Sequence, residues 1–240
     1  LDLTQTDRDD GMPWDFNVPA KREKAERLID EQRPALLIGT PMCTAFSNIQ
    51  NLNKMRRDPQ IVAAELEKAR EHLRWCCKLY KQQVARGGYF LHEHPATALS
   101  WKEEQIKSLM KEINVQVVIA DQCQYGLTTP AEGNRHKMMP ALKPTRFMTN
   151  SIAMASQLSK RCPRNHEHQP LVGNRCKDAA FYPAPLVKAM LKGIMLQAAH
   201  DRQNKVNNLD IGHIHAMPMQ FKKENASTGS EADYGPPTFY

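Results

Sequence analysis

The sequence has no unbroken apolar run of about 18 residues, the length that a membrane-spanning helix needs. Its first ten residues, LDLTQTDRDD, lack the apolar segment of a secretory signal and the basic character of a transit peptide. Cysteines are also few, six in 240 residues, and too spread out for a disulfide scaffold. We therefore expect a protein that does not enter a membrane, is not secreted and keeps its thiols reduced. An intracellular location, nuclear or cytoplasmic, follows from this.

Acidic residues are outnumbered in this chain. Lysine and arginine total 33 against 26 aspartates and glutamates, which gives a net charge of +7 and a pI near 9.1. This balance favours a polyanionic partner such as nucleic acid, although a basic protein without such a partner would have the same composition. Charge alone leaves both interpretations open.

Helical and strand patterns alternate over the first 120 residues. Apolar periodicity predicts helices at 19–32, from Pro59 to the Gly87–Gly88 pair, and at 101–113; strands are predicted at 35–39, 89–95 and 115–120. This order predicts an α/β fold, a Rossmann-like, mostly parallel sheet with helices on both faces. Ligands of such sheets bind beyond the carboxyl ends of the strands, where GTPMCTAFS (39–47) and HEHP (92–95) fall.

After residue 121 the pattern loosens. Residues 124–144 are loop-like, TRFMTNS has the composition of a strand, SIAMASQLSK that of a short helix, and 183–199 is a clear amphipathic helix. Residues 200–240 are polar and irregular. We therefore expect one α/β domain over residues 1–199, followed by a flexible tail or linker over residues 200–240.

A lone cysteine, Cys43, follows the first predicted strand within the segment PMCTAFS. Such a cysteine is usually a small buried hydrophobe. With Glu93 at the end of the next strand, however, the segment resembles the DNA cytosine-5 methyltransferase family, whose loop reads Pro-Pro-Cys-Gln-x-Phe-Ser. The family's next strand ends in Glu-Asn-Val, where this chain has Glu-His-Pro.

The resemblance implies S-adenosylmethionine as methyl donor and DNA as substrate. Cys43 would add as a thiolate to C6 of cytosine, and the Glu93 carboxyl group would bind and protonate the base. The base would first have to leave the duplex. Further roles carried over from the family are Arg146 as third catalytic residue, Asp2 and Pro41 as cofactor-binding residues, and Ser47, Lys143 and Arg146 as nucleic-acid-binding residues.

The family's glycine-rich cofactor loop would precede Asp2, so the resemblance implies that the chain is a fragment. The segments HEHP, KPTRFMTN and C-x3-H-x-H are also similar to methyltransferase-like domains of retroelement polyproteins. An alternative is therefore a catalytically inactive nucleic-acid-binding zinc module of a mobile-element polyprotein.

A candidate metal site lies in RCPRNHEHQPLVGNRC, residues 161–176. Two thiols and two imidazoles suit tetrahedral zinc in a structural role. The predicted ligands are Cys162, His166, His168 and Cys176, with Cys123 as the alternative fourth ligand. A polar surface loop with chance histidines is the competing interpretation. His92 and His94, which share one face of a strand, suggest a rival hydrolase metal site, but no carboxylate at a characteristic spacing completes it.

Overall fold

The computed structural model describes residues 1, 3–47, 57–173 and 175–215. The helices are α1 (Pro19–Gln32), α2 (Pro59–Ala85), α3 (Glu104–Met110), α4 (Ile152–Gln157), α5 (Arg175–Asp178) and α6 (Ala184–His215). The strands are β1 (Leu36–Gly39), β2 (Tyr89–Pro95), β3 (Gln116–Asp121), β4 (Thr128–Ala131), β5 (Asn134–Pro140) and β6 (Pro144–Thr149). Proline opens both α1 and α2, and the Asp58 side chain caps α2 by accepting a hydrogen bond from the Gln60 amide.

A four-stranded sheet in the order β1-β2-β6-β3 forms the centre of the fold. β1 pairs with β2 in parallel, with Leu36 opposite Tyr89, but β6 runs antiparallel to both β2 and β3. The chain is therefore mixed α/β, while the predicted mostly parallel sheet is wrong. The reason is that β6 returns from a hairpin and inserts between two strands that would otherwise be neighbours.

The other three strands of the sheet all run in the same direction. Because β6 is antiparallel to β2 and to β3, strands β1, β2 and β3 all point the same way. Their carboxyl ends, at Gly39, Pro95 and Asp121, lie at one edge of the sheet together with Pro144, where β6 begins. We call this the carboxyl edge.

The hairpin β4–β5 occupies a region that the sequence predicted as loop. Gly133, with φ of +75°, lies in the tight turn between the strands, where a positive φ favours glycine. The strands were missed because NRHKMMP shows no alternation of apolar and polar residues.

Each face of the sheet carries its own core. Phe90 and Met148 face α2 and α3, whereas Leu91 and Phe147 face α4 and α6. Cys76 and Cys77 are buried in the first core, where they act as packing residues.

The first compact unit spans Leu1–His200. The helix predicted to end at residue 199 continues to His215, and the rest of the predicted tail lies outside the described residues. None of the helices in the described ranges combines the length and the apolar character needed to cross a bilayer.

Candidate functional site

Cys43 lies in the turn that follows β1 at the carboxyl edge. Its side chain is half-buried, and a short 3-10 helix, Thr44–Phe46, places the Phe46 ring in the first core. Gly39 fixes the start of this turn, because a Cβ atom there would overlap the Tyr80 hydroxyl group. Glycine at this position therefore lets helix α2 pack closely on the end of β1.

His94 of β2 holds the turn that contains Cys43 through a hydrogen bond to its backbone. Its Nε2 atom lies 2.7 Å from the Pro41 carbonyl oxygen, and its Nδ1 atom lies 2.6 Å from Ser100 Oγ. A carbonyl can only accept, so Nε2 carries the proton and the Ser100 hydroxyl donates to Nδ1. Burial lowers the pKa of His94 to about 4, although the contact with Pro41 opposes this. A neutral imidazole therefore supports the cysteine turn where the resembled family has asparagine.

Glu93 is on the other face of β2, next to Phe147 of β6. The residue is 7% exposed, and the Tyr182 hydroxyl group acts to lower the pKa of its carboxyl group. The Lys143 ammonium group is close enough to act electrostatically on the same carboxyl group. The net effect of burial, opposed by Tyr182 and Lys143, is to raise the pKa of Glu93.

The pKa of Cys43 depends on the charges of Glu93 and Lys143. Burial raises the pKa of its thiol, the negative charge of Glu93 raises it further, and Lys143 opposes both. Cys43 follows β1 and Glu93 lies near the end of the adjacent strand β2, so both are at the carboxyl edge. That both reach one base stays a prediction of the resemblance. We refer to Cys43, Glu93, Lys143 and Tyr182 as the Cys43 centre. At neutral pH its cysteine is mainly a thiol rather than a thiolate.

Arg146 is not brought into this centre. It pairs with His94 across the sheet and therefore lies on the face opposite Glu93, with its guanidinium carbon 5.1 Å from the centre of the Trp101 ring. Lys143, which precedes β6, is instead the cation whose charge lowers the pKa of Glu93, and its Nζ atom donates to the Ala179 carbonyl oxygen at 2.9 Å.

The remaining predicted contact residues have mixed outcomes. Pro41 and Ser47 flank Cys43 and are half-buried, and the Pro41 carbonyl is occupied by His94. Asp2, predicted to bind the cofactor, lies outside the described residues.

A second cysteine centre lies farther along the carboxyl edge. Ligand atoms of Cys123, Cys162, His166 and His168 all lie within 4.8 Å of one another, so this group can hold a metal ion. We call it the metal cluster. Cys162 Sγ is 3.6 Å from His166 Nε2 and 3.4 Å from His168 Nε2. A tetrahedral zinc with normal bond lengths would separate sulfur and nitrogen ligands by about 3.5 Å.

The local chain explains how the metal cluster forms. Cys123 is in the 3-10 helix Gln122–Tyr125 that directly follows β3, and Asp121 at the end of β3 anchors the opposing loop. Asp121 Oδ2 accepts hydrogen bonds from the Cys162 amide and from Arg161 Nε, both at 2.8 Å. Burial acts to raise the pKa of Asp121, but these two donors outweigh it and the pKa lies below its usual range.

Cys176 is not a ligand in this arrangement. Its thiol is exposed and donates to the Leu171 carbonyl oxygen at 3.0 Å, so the predicted fourth ligand is wrong and the alternative, Cys123, is correct for the cluster. The reason is that β3 delivers Cys123 next to Cys162, whereas the Cys176 sulfur turns back onto its own loop.

The rival metal site on β2 does not form. Both nitrogens of His94 are engaged, and His92 Nδ1 lies 3.0 Å from the Tyr80 hydroxyl oxygen. Both imidazoles are buried, and they support the core and the cysteine turn.

Comparisons of this chain with known proteins identified no relative. No family model, curated protein or solved structure matches this chain. The methyltransferase resemblance therefore stays a prediction that depends on the residues themselves.

Two residues of these centres were missed from the sequence, Tyr182 and Asp121. Tyr182 comes just before the proline-opened helix α6, and Asp121 is the last residue of β3. Polar side chains at such element ends are the available signal, but neither belongs to a recognisable motif.

Proposed function

We propose that the chain is a methyltransferase-like domain that attacks cytosine in nucleic acid through Cys43. The observation that supports the proposal is that Cys43 follows β1 and Glu93 lies near the end of β2, two adjacent parallel strands that both end at the carboxyl edge. A nucleophile beside a carboxylic acid, both able to reach one flat ring, is what the addition requires.

Cys43 and Glu93 carry the addition step. Cys43 first loses its thiol proton to solvent, and the thiolate forms a bond to C6 of cytosine. The electrons of the C5–C6 double bond move into the ring, and N3 takes a proton from Glu93. Burial of Glu93 supports this role, because its raised pKa favours the protonated acid that the step uses. When the C–S bond breaks, N3 returns the proton and the double bond re-forms.

The methyl donor has no corresponding support. The described residues offer Pro41 alone of the two predicted cofactor contacts, and its carbonyl oxygen already accepts from His94. They do not fit S-adenosylmethionine as a binding set, so we derive no step from it and keep methyl transfer as an inference from the resemblance.

A donor-independent exchange reaction tests the proposal. While cytosine is bonded to Cys43, C5 can take a deuteron from D2O and lose its own proton when the adduct reverses. We expect mass spectrometry to find deuterium at C5 in single-stranded and duplex oligonucleotides treated with the protein. The signal should vanish with Cys43→Ser and fall about 100-fold with Glu93→Gln. Equal exchange with Cys43→Ser, or none with a folded wild-type protein that binds the oligonucleotide, would refute the assignment.

A second candidate is a nucleic-acid-binding zinc module without catalysis. It is favoured by the metal cluster, by the net charge of +7 and by the raised pKa of Cys43, which disfavours a resting nucleophile. Two thiols and two imidazoles leave no open position, so zinc would be structural. Oligonucleotide binding that survives Cys43→Ser, weakens steeply with salt and occurs without C5 exchange would select this candidate.

A further inference from the structure

The loop that supplies three ligands of the metal cluster is also basic. We call residues 160–168, KRCPRNHEH, the basic loop. Its lysine and arginine residues, Lys160, Arg161 and Arg164, are all exposed, and Glu167 is the only acidic residue in the segment. The basic loop therefore presents three positive charges to solvent against one negative charge.

Hydrogen bonds at the end of β3 fix the position of the basic loop. The Lys160 carbonyl oxygen accepts from the Asp121 amide at 2.9 Å, and the Lys160 amide donates to the Tyr125 hydroxyl oxygen at 3.2 Å. Farther along the loop, the Arg164 amide donates to Cys162 Sγ at 3.4 Å. The backbone that carries the three cations is therefore held at the carboxyl edge.

Arg161 is oriented by a buried carboxylate. Its Nε atom donates to Asp121 Oδ2 at 2.8 Å, and the Asp121 side chain is 1% exposed while that of Arg161 is 55% exposed. This hydrogen bond uses one of the five N–H donors of the guanidinium group and restrains its plane. The fork formed by the terminal nitrogens is the geometry that binds two oxygens of one phosphate.

The other two cations are restrained as well. Lys160 Nζ lies 5.3 Å from the centre of the Tyr125 ring, and a cation over an aromatic face is attractive. Arg164 has a φ of +60°, which is uncommon for residues other than glycine. Because this conformation accompanies the approach of its amide to Cys162 Sγ, the geometry of the metal cluster helps to place Arg164.

We propose that the basic loop is the nucleic-acid contact surface of this protein, with Lys160, Arg161 and Arg164 binding phosphates of one strand. The inference rests on the proposed function for its choice of partner. It assigns phosphate contacts to three residues that the methyltransferase resemblance did not include, in place of Arg146 on the opposite face of the sheet.

The basic loop and Cys43 lie at the same edge of the sheet. The strands that lead to them, β1 and β3, are separated by three strand intervals of about 4.8 Å each. Each strand of a DNA duplex advances about 3.4 Å per nucleotide, so about four nucleotides span this distance. One strand can therefore place a base at Cys43 while its phosphates a few nucleotides away contact the basic loop.

Fluorescence anisotropy over about 50 to 300 mM salt provides the test. The probes are single-stranded DNA of about 20 nucleotides, its duplex, and RNA of the same sequence, so the three arms distinguish the kind of strand. We expect Lys160→Gln/Arg161→Gln/Arg164→Gln to weaken binding at least about tenfold at 0.1 M salt. The slope of log affinity against log salt should fall by about 2, because each lost phosphate contact removes about 0.7–0.9.

Lys81→Gln/Lys107→Gln/Lys111→Gln is the matched control. It removes the same charge from exposed lysines near the ends of α2 and α3, which lead into β2 and β3 at the opposite edge of the sheet. We expect this variant to change affinity less than about twofold, because exposed charges so far from the bound strand are largely screened.

Arg161→Lys tests the orientation given by Asp121. Lysine keeps the positive charge but has no planar fork, so affinity should fall several-fold while the salt slope barely changes. Lys160→Arg is the companion variant and should bind as the wild type does. Wild-type affinity in Arg161→Lys would contradict the phosphate geometry assigned to Arg161.

Four results would overturn the inference. They are no binding of any probe by the wild-type protein, unchanged affinity in the triple variant of the basic loop, an equal loss in the control variant, and competition by polyglutamate as strong as that by oligonucleotide of equal charge. Thermal unfolding checks that each variant is folded.

Failure of the proposed function appears separately from failure of this inference. Absent C5 exchange, with binding that still depends on the basic loop, refutes the reaction and leaves the contact surface in place. If exchange occurs, the triple variant should need at least about tenfold more oligonucleotide for half-maximal exchange and keep the same maximal rate. Exchange with an unchanged oligonucleotide requirement would support the reaction and refute the surface.

Discussion

Two cysteine centres share the carboxyl edge of the sheet, and they are built in opposite ways. The Cys43 centre has one thiol after β1 and a buried carboxyl group in the adjacent strand β2, and the negative charge of that carboxyl group raises the pKa of the thiol. The metal cluster places two thiols beside two imidazoles, a set that a divalent ion can bind. The comparison teaches that the residues around a thiol, rather than its position at a strand end, decide its chemistry.

The supports of the two centres also differ. Neutral His94 donates to the Pro41 backbone carbonyl and so holds the Cys43 turn without a charge. Ionised Asp121 accepts from the Cys162 amide and so holds the metal loop with a charge. Each centre can therefore be disturbed separately, and the following predictions use this difference.

The largest effect should come from removing a ligand of the metal cluster. Cys162→Ser should abolish bound zinc and lower the free energy of unfolding by about 3 kcal/mol or more, roughly 6–12 °C in melting temperature for a domain of this size. Plasma mass spectrometry and thermal unfolding measure the two effects. Cys176→Ser is the matched control and should leave both unchanged. Zinc retained in Cys162→Ser, or lost in Cys176→Ser, would contradict the ligand assignment.

The next effect is acid destabilisation through His94. An unfolded histidine titrates near 6.5, whereas the folded pKa is about 4, so the unfolded chain binds more protons between these values. Stability should be present above pH 6.5 and fall as the pH drops toward 4, by roughly 3 kcal/mol from this residue.

Urea unfolding from pH 7.5 to pH 4, with zinc removed by chelation, isolates this effect from protonation of metal ligands. His92, whose pKa burial also lowers, should add to the slope. His94→Asn should flatten the dependence while leaving metal binding intact. A profile that stays equally steep would place the acid sensitivity elsewhere.

A smaller effect concerns the reactivity of Cys43. Glu93→Gln removes the negative charge that raises the pKa of the thiol, so alkylation at pH 7.5 should become several-fold faster. Glu104→Gln, at an exposed helix start, serves as the control and should have no effect. Slower alkylation in Glu93→Gln would mean that the two groups do not interact as described.

The smallest effect is expected from Arg146. Because its side chain lies on the opposite face of the sheet, against Trp101, Arg146→Gln should change Cys43 alkylation less than about twofold. The same assay with Lys143→Gln provides the contrast. A large change with Arg146→Gln would restore the arginine to the site that the resemblance predicted.

Local patterns were sufficient to predict much of the fold. The bounds of α1 agree with prediction, as do the strand at residues 89–95 and the strong periodicity of α2, because each carries its own caps and breakers. The position of β6 could not be predicted in this way. A strand's sequence does not specify its neighbours, and TRFMT fits a parallel or an antiparallel place equally well.

The candidate sites, like the fold, could be predicted from the sequence only in part. The sequence singled out Cys43 after one strand and Glu93 near the end of the next, each within a motif, and it singled out the metal residues by type and spacing. The choice between Cys176 and Cys123 depended on tertiary structure, since Cys123 lies 39 positions before Cys162 and meets it only through β3. Arg146 was misplaced because alternation along β6 decides its face, and the register that fixes this alternation is a property of the folded sheet.

The reversed strand β6 also acts as a spacer. With neighbouring strands about 4.8 Å apart, the ends of β1 and β3 are separated by three intervals, roughly 14 Å, which exceeds the Debye length of about 8 Å at physiological salt. Solvent-exposed charges at the two ends are therefore largely screened from each other, whereas buried groups such as Glu93 are screened much less. A cation bound or removed at the far end would reach the near end mainly through the buried interior of the sheet.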